Sequence, residues 1–307
     1  MSKETLPLVT IGISFFNPGL FLIDAIKSVF AQSYDNWELI IIDDGSTENI
    51  SDTVSKIKDT RVTFKKFDRR KGLAFRLNQI IKMAQGDLIA RMDADDMMHP
   101  NRIHKQVMFL EKQKLIDALD TEAVLIDLDS NPVGFFKKSL TKGHSASDVL
   151  RHGGFLHPAI MARRNWYKNN LYDPSSDFKR AEDRELWART FSKAKMAHLH
   201  EPLYFYRFLN NVRTEDYLQS YKSERKIIIK YGPGMVGPLQ SCLLYIRSSI
   251  KTGALGFLSF LHQEQMINRF KIKPIDEKDK RRISSIIKQI KVQPIPGIDA
   301  GSSPKPL

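Results

Sequence analysis

The sequence predicts an α/β protein built on a doubly wound, mostly parallel sheet, with a helical extension at its C-terminus. Three observations carry this. Short apolar runs alternate with helix-period segments through the first hundred residues, a rhythm that implies right-handed crossovers between parallel strands. The second apolar run, residues 38–42, stops at Asp43-Asp44-Gly45-Ser46 and the fourth, from Leu88, at Asp93-Ala94-Asp95-Asp96. That places carboxylates where open α/β sheets bind ligands. No run is followed by a Gly-x-Gly-x-x-Gly fingerprint or a Walker loop, so acidic residues and a cation would have to serve any bound phosphate.

Residues 9–16 are a β-rich run broken by Asn17-Pro18-Gly19. Residues 21–32 place Phe21, Leu22, Ala25, Ile26, Val29 and Phe30 at helical spacing. Residues 38–42 form the second strand, 51–57 a short helix and 62–67 the third strand. A helix over 72–84 turns Leu73, Leu77, Ile80, Ile81 and Ala84 to one side, and the strand from Leu88 follows. Further on, 101–114 is a predicted helix and 122–128 a strand, with a turn at Ser130-Asn131-Pro132. Residues 133–153 are expected to be irregular, and 155–163 form an apolar run containing His157-Pro158. Residues 181–191 are helical and 198–208, alternating aromatic and polar residues, strand-like. The expected domains are therefore 1–215 (a nucleotide-binding half 1–100 and an acceptor half 101–215), a basic helical extension 216–292, and a disordered tail 293–307 rich in Pro, Gly and Ser.

At 307 residues, 42% hydrophobic and 27% charged, the chain is an ordinary globular sequence able to bury a large core. Its single cysteine, Cys242, excludes an internal disulfide framework and fits a reducing compartment, and no Cys/His spacing suggests a zinc site. The N-terminus lacks signal-peptide order, and no apolar stretch reaches the ~18 residues of a spanning helix. A cytoplasmic location is expected, with peripheral attachment to the inner face of the cell membrane as an option. Of the net charge of +13, ten units fall in residues 221–307, which hold sixteen Lys/Arg against six Asp/Glu. The stretches 243–250 and 255–267 are apolar and helical, carrying Arg247, Lys251 and His262. They suit a helical cap on the main domain or an amphipathic face on an anionic membrane, and the sequence favours neither.

Three carboxylates within four residues, Asp93, Asp95 and Asp96, repel one another and invite a hard divalent cation with oxygen ligands. Alone they would better suit an acidic turn capping the helix near Pro100. Asp43 and Asp44 can serve an Asp-Gly turn, and Glu182 and Asp183 the first turn of a helix. Taken together, the three acidic signals allow a division of labour. One carboxylate accepts from a base or ribose, a second set holds the ion that neutralises a diphosphate, and a third acts as general base. His157 and Arg207 are placed to meet phosphate or acceptor, but structural roles are at least as well supported.

The runs Thr-Ile-Gly-Ile-Ser-Phe-Phe-Asn (10–17), Ser-Val-Phe-Ala-Gln-Ser-Tyr-Asp-Asn-Trp-Glu-Leu-Ile-Ile-Ile-Asp-Asp-Gly-Ser-Thr (28–47) and Met-Asp-Ala-Asp-Asp (92–96) resemble family 2 glycosyltransferases of the GT-A fold. Arg76-Leu77-Asn78, Ala84-Gln85-Gly86-Asp87, Pro100-Asn101-Arg102 and Ala181-Glu182-Asp183 with Leu186-Trp187 and Arg189 match in order and spacing, so the likeness covers about residues 8–210. The departure is Gly-Ile-Ser-Phe-Phe-Asn where the family commonly has Ile-Ile-Pro-Thr-Tyr-Asn. The resemblance implies an inverting enzyme that uses a nucleotide-activated sugar, usually UDP-linked, with Mn²⁺ or Mg²⁺. It places Ser14, Asp44, Asp93 and Arg76 at the nucleotide, and Asp95 as principal metal ligand beside Asp93 and Asp96. Asp183 is the implied catalytic base, and Glu38 is structural.

The function expected from the sequence is thus metal-dependent transfer of a hexosyl unit from a UDP-sugar to the hydroxyl of a saccharide or lipid-linked saccharide, in surface polysaccharide or glycolipid synthesis. The competing readings are a sugar-nucleotide nucleotidyltransferase, which normally needs a Gly-rich basic loop after the first strand, and a non-catalytic basic-tailed binding protein. Nucleic acid is not an expected partner, since clustered carboxylates would repel its backbone.

Overall fold

The computed structural model describes residues 6–136, 145–208, 214–260 and 272–299. The N-terminal half follows the predicted alternation: β1 (Val9–Phe15), α1 (Phe21–Phe30), β2 (Trp37–Asp43), α2 (Ile50–Val54), β3 (Val62–Lys66), α3 (Leu73–Met83) and β4 (Leu88–Asp93). β1 pairs in parallel with β2 on one side and β4 on the other, and β2 with β3. β1 and β2 are buried almost throughout, as strands covered on both faces must be, which is why they are continuous apolar runs. β3, at the sheet edge, alternates half-buried and exposed residues and ends in Lys65-Lys66, a charge pattern that discourages further pairing.

The second half adds β5 (Met97–Met98), α4 (Arg102–Lys112), β6 (Ala118–Ile126), β7 (Pro132–Phe136), α5 (Ala146–His152), β8 (Met161–Arg163), α6 (Arg164–Asn169), α7 (Glu182–Thr190) and β9 (Met196–Arg207). The sheet order is β10 (Ile272–Lys273)-β7-β6-β8-β4-β1-β2-β3, with β9 beside β6 and β5 beside β9. The parallel core thus continues into a mixed region, where β8 runs antiparallel to β4 and β6, and β7 antiparallel to β6. β9 is parallel to β6. One apolar layer packs α1 and α4 on the sheet through Leu22, Ile26, Val29, Ile103, Val107 and Leu110. The other packs α3, α6 and α7 through Leu77, Ile80, Ile81, Trp166, Leu186 and Trp187. The sheet is doubly wound.

Two regions differ from expectation. Within 133–153, expected to be irregular, β7 joins the sheet and α5 is capped by Ser145, whose hydroxyl accepts from the Asp148 N–H at 3.1 Å; residues 137–144 lie outside the described residues. The two apolar stretches near 243 and 255 form one helix, α9 (Pro238–Phe260), antiparallel in chain sense to α8 (Thr214–Val236) across the Gly237 turn; residues 261–267 lie outside the described residues. The chain resumes with β10 (Ile272–Lys273) and α10 (Glu277–Lys291). β10 extends the sheet against β7, and α10 buries Ile283, Ile287 and Ile290 against Met97, Val124, Ile126 and Phe205. The disorder expected from residue 293 does not begin there. Ile295 is fully buried and the Pro296 carbonyl accepts from the Lys58 N–H at 2.8 Å; residues 300–307 lie outside the described residues.

Candidate active site

Register places the predicted residues. Ser14 of β1 lies level with Asp93 of β4 and Ile42 of β2, and Phe15 level with Asp43. The strand ends therefore deliver Ser14, Asp43, Asp44 and Asp93 to one edge. Asp43 is fully buried and used locally: Oδ1 accepts from the Ser46 N–H at 2.7 Å, and Oδ2 from the Ser51 hydroxyl. Gly45 turns the chain at φ +83°, and a Cβ there would come within 3.1 Å of the Arg70 nitrogen. The turn and the 69–72 segment are thus in close contact.

Asp44 holds that segment. Its Oδ1 accepts from the Lys71 N–H at 2.8 Å and Arg76 Nε at 2.6 Å, and Oδ2 from the Gly72 N–H at 2.7 Å. With two acceptor positions per oxygen, one position on Oδ2 remains for a ligand. Arg76, expected at the nucleotide, braces Asp44 from within the protein. It is 1% exposed, its Nη1 donates to Gln79 and Nη2 to the Arg69 carbonyl, and it stacks on Phe67 at 3.9 Å. All three of its nitrogens donate to the protein. Glu38 is structural as expected, accepting from the Thr10 hydroxyl at 2.5 Å and the Gln85 N–H at 2.6 Å. Gly86 follows because a Cβ would meet the Thr10 nitrogen at 2.5 Å.

The carboxylates of Asp93, Asp95 and Asp96 each bring a ligand oxygen within 4.8 Å of the others. Asp93 is held by both terminal nitrogens of Arg91, and its N–H donates to the Tyr204 hydroxyl at 3.1 Å. Asp96 is buried, with Oδ1 accepting from the Arg207 N–H at 2.7 Å and Oδ2 without a hydrogen-bond partner of good geometry. Burial, then the charge of Asp93, pushes the Asp95 carboxyl up to about 6. Burial, then Asp95 and Asp93, pushes Asp96 well above the ordinary carboxyl range. The anionic cluster is under-compensated, its donors are hard oxygens, and one of them is orphaned. Those features fit a divalent cation of the Mg²⁺ or Mn²⁺ kind. Arg207 does not reach outward for phosphate. It is buried, with Nε donating to the Asp95 carbonyl at 2.7 Å and Nη1 to the Asp127 carbonyl at 2.8 Å, so it fastens the acidic turn to the loop after β6.

Glu182 and Asp183 begin α7, two residues after Arg180, whose φ of +62° is a strained value for a non-glycine residue. Burial first, then Asp183, raises Glu182 to about 7, and Arg91 and Asp93 also act on it. The start of α7 thus shares its electrostatic environment with the end of β4. Arg184 ties this helix down, donating to Glu224 of α8 at 2.9 Å and to the Leu150 carbonyl at 2.8 Å. Beside it a cavity of 520 Å³ opens between residues 70–74 and 173–182, with Arg70, Lys71, Lys179 and Arg180 on its wall next to Glu182. His157 lies inward, its Nε2 2.9 Å from the Tyr172 hydroxyl. Sequence reasoning passed over Arg91 and Tyr204, since nothing in their local pattern marks them as supports of Asp93.

A parallel-cored sheet of this order, with carboxylates gathered at its strand ends, is the GT-A type of fold. The model of the family "Glycosyl transferase family 2" matches residues 10–168, and the chain belongs to that family. It is a glycosyltransferase, as the sequence resemblance implies, and the nucleotidyltransferase and binding-protein readings fall away. EpsE of Bacillus subtilis, which carries a glycosyltransferase name, is 32% identical over 204 residues, covering 64% of this chain and 72% of its own. The Escherichia coli UDP-Glc:alpha-D-GlcNAc-diphosphoundecaprenol beta-1,3-glucosyltransferase WfaP is 28% identical over 78% of this chain and 97% of its own. Among solved structures, S. aureus TarS 1–349 in complex with UDP-GlcNAc has a TM-score of 0.60 at 15% identity, covering 94% of this chain and 89% of that one. The mannosyltransferase PcManGT from Pyrobaculum calidifontis, in complex with GDP-Man and Mn²⁺, scores 0.58 at 12% identity over 94% and 86%. At these identities the likeness is one of fold.

Proposed function

We propose that the protein moves a hexosyl unit from a UDP-sugar to the hydroxyl of a lipid-linked saccharide, with inversion, in the assembly of a surface polysaccharide or glycolipid. The observation that supports this is the Asp93-Asp95-Asp96 cluster at the end of β4, whose Asp93 acts on the Glu182 carboxyl at the start of α7. WfaP, whose name states a UDP-sugar donor and a diphosphoundecaprenol-linked acceptor, supports the substrate classes. Asp95, with Asp93 and Asp96, would hold Mn²⁺ or Mg²⁺, and such an ion supplies charge that stabilises a departing diphosphate. Asp44 offers its remaining Oδ2 position to the base, with Ser14 at the neighbouring end of β1, and Arg76 keeps Asp44 in place. Asp183 takes the proton of the acceptor hydroxyl as that oxygen attacks the anomeric carbon. The bond from that carbon to the diphosphate breaks on the opposite face, so the configuration inverts without a covalent intermediate. Arg70, Lys71, Lys179 and Arg180 give the adjoining cavity the charge to receive phosphate.

The test is nucleotide release from a panel of UDP-sugars and GDP-mannose, with and without Mn²⁺, for the wild type, Asp95→Ala and Asp183→Asn. One donor should be hydrolysed slowly in a metal-dependent way. Asp95→Ala should remove that release, and Asp183→Asn should lower transfer to acceptor by about 10²–10⁴-fold. A panel inert with metal, together with no nucleotide binding by calorimetry, would overturn the donor assignment.

A further inference from the structure

A second cluster of ligand-type side chains lies away from the strand-end carboxylates. On β6, Asp120 and Glu122 point to the same face, two residues apart; on β9, His198 lies level with Asp120. The register then slips. Thr121 is opposite Leu199 but Glu122 is opposite Pro202, so His200 and Glu201 form a bulge in β9. Bulges re-aim side chains, and this one brings His200 to Glu122, with Nδ1 3.7 Å from Oε1. The His198 and His200 rings meet edge to face at 4.7 Å between centroids. One donor atom from each of Glu122, His198 and His200 lies within 4.8 Å of the other two.

The support behind these side chains is of the kind that metal-binding histidines have. Asp120 is fully buried; its Oδ2 accepts from the Leu156 N–H at 2.6 Å and its Oδ1 sits 2.7 Å from His198 Nδ1. A carboxylate on one ring nitrogen fixes the orientation of the imidazole and raises its basicity. Nε2 is the nitrogen left to ligate. We propose that Glu122, His198 and His200 form a binding site for a divalent transition-metal ion of the zinc type, with Asp120 as the positioning residue. Two imidazoles and a carboxylate suit Zn²⁺ better than the hard ions expected at the aspartates, and leave a tetrahedral ion one position for water. Bonds of about 2.0–2.1 Å would bring the donors to about 3.3 Å apart. That closure falls to His200 and Glu122, whose side chains are 65% and 45% exposed. The ion would clasp β9 to β6 at the bulge, about 23 Å along the strand from Arg207 and the acidic turn.

Tag-free, chelator-treated full-length protein is titrated with ZnCl₂ by calorimetry, with Mg²⁺ in excess to occupy the aspartates. One Zn²⁺ should bind, and Co²⁺ in its place should give the visible absorption of a tetrahedral site. His200→Ala and Glu122→Gln, both at exposed positions, should each weaken binding tenfold or more and abolish the cobalt spectrum, while Asp95→Ala leaves both intact. Asp120→Asn should cost about 10–100-fold in affinity with the far-UV circular dichroism unchanged. Zinc binding that survives His200→Ala and Glu122→Gln, that is lost in Asp95→Ala or Cys242→Ser, or that never rises above the level of the His200→Ala, Glu122→Gln double variant would overturn the site.

Discussion

Asp95 and Glu182 have carboxyl groups whose charge the fold opposes, the first raised from 3.8 to about 6 and the second from 4.5 to about 7, chiefly by burial. A carboxyl raised on folding contributes stability that is complete below its unfolded value and is lost as pH rises through its folded value. Without metal, the wild type should therefore lose more melting temperature between about pH 4 and about pH 8 than Asp95→Asn/Glu182→Gln, and Mn²⁺ should reduce the loss. Identical pH profiles for the two proteins in scanning calorimetry would refute the assignment. Arg76 makes the opposite prediction, because its buried pair with Asp44 is already compensated. Arg76→Ala leaves a buried carboxylate without its counter-charge and should cost about 3–5 kcal/mol in denaturant unfolding. The carboxylates at the strand ends were legible in the sequence because strand, turn and charge are local signals. Arg76, Arg91 and Arg207 were not, because whether a guanidinium faces a ligand or the protein interior depends on segments far apart in the chain, such as 69–76 against Asp44.

The helix α9 carries two faces. Ser241, Leu244, Ser248 and Leu255 are turned inward, whereas Leu239, Leu243, Ile246, Ile250 and Phe257 are exposed along a single stripe. No helix among the described residues is long and apolar enough to cross a membrane, and this stripe, in a region with an excess of positive charge, suits one lying on an anionic surface. Burying such side chains in lipid stabilises by about 1.5–3 kcal/mol each. The double variant Leu243→Asp/Ile246→Asp should then lose binding to phosphatidylserine vesicles in a flotation assay while keeping its melting temperature. Unchanged flotation would favour the cap reading, in which the stripe has no lipid partner. Helical period was readable here. The division between an inward small-residue face and an outward apolar one was not, since both faces contain leucine and only the packing against α8 separates them.

At the scale of the molecule, the C-terminal segment is a strap across the sheet, and this changes how the rest can be tested. β10 pairs with β7 at one edge through Ile272 and Phe136, and α10 crosses β6, β9 and β5. Lys291 then reaches Asp24 of α1 at 3.3 Å, and its carbonyl accepts from Lys27 Nζ at 3.0 Å. Beyond it, the Pro296 carbonyl meets Lys58 after α2. Composition alone marked 216–292 as an appendage, because a run of lysines interrupted by isoleucines looks solvated until Ile283, Ile287, Ile290 and Ile295 are seen to be buried. Truncating one such isoleucine to alanine costs about 2–5 kcal/mol, against a total stability of about 5–15 kcal/mol for a domain. Ile290→Ala should accordingly remain folded with a clearly lowered denaturation midpoint, whereas a chain ending at residue 271 should fail to fold. Retention of a cooperative unfolding transition by that truncated chain would show that residues 272–299 only decorate the sheet. By the same arithmetic a chain lacking residues 221–307 would lose structure along with any vesicle binding, so the surface substitutions on α9 are the interpretable experiment.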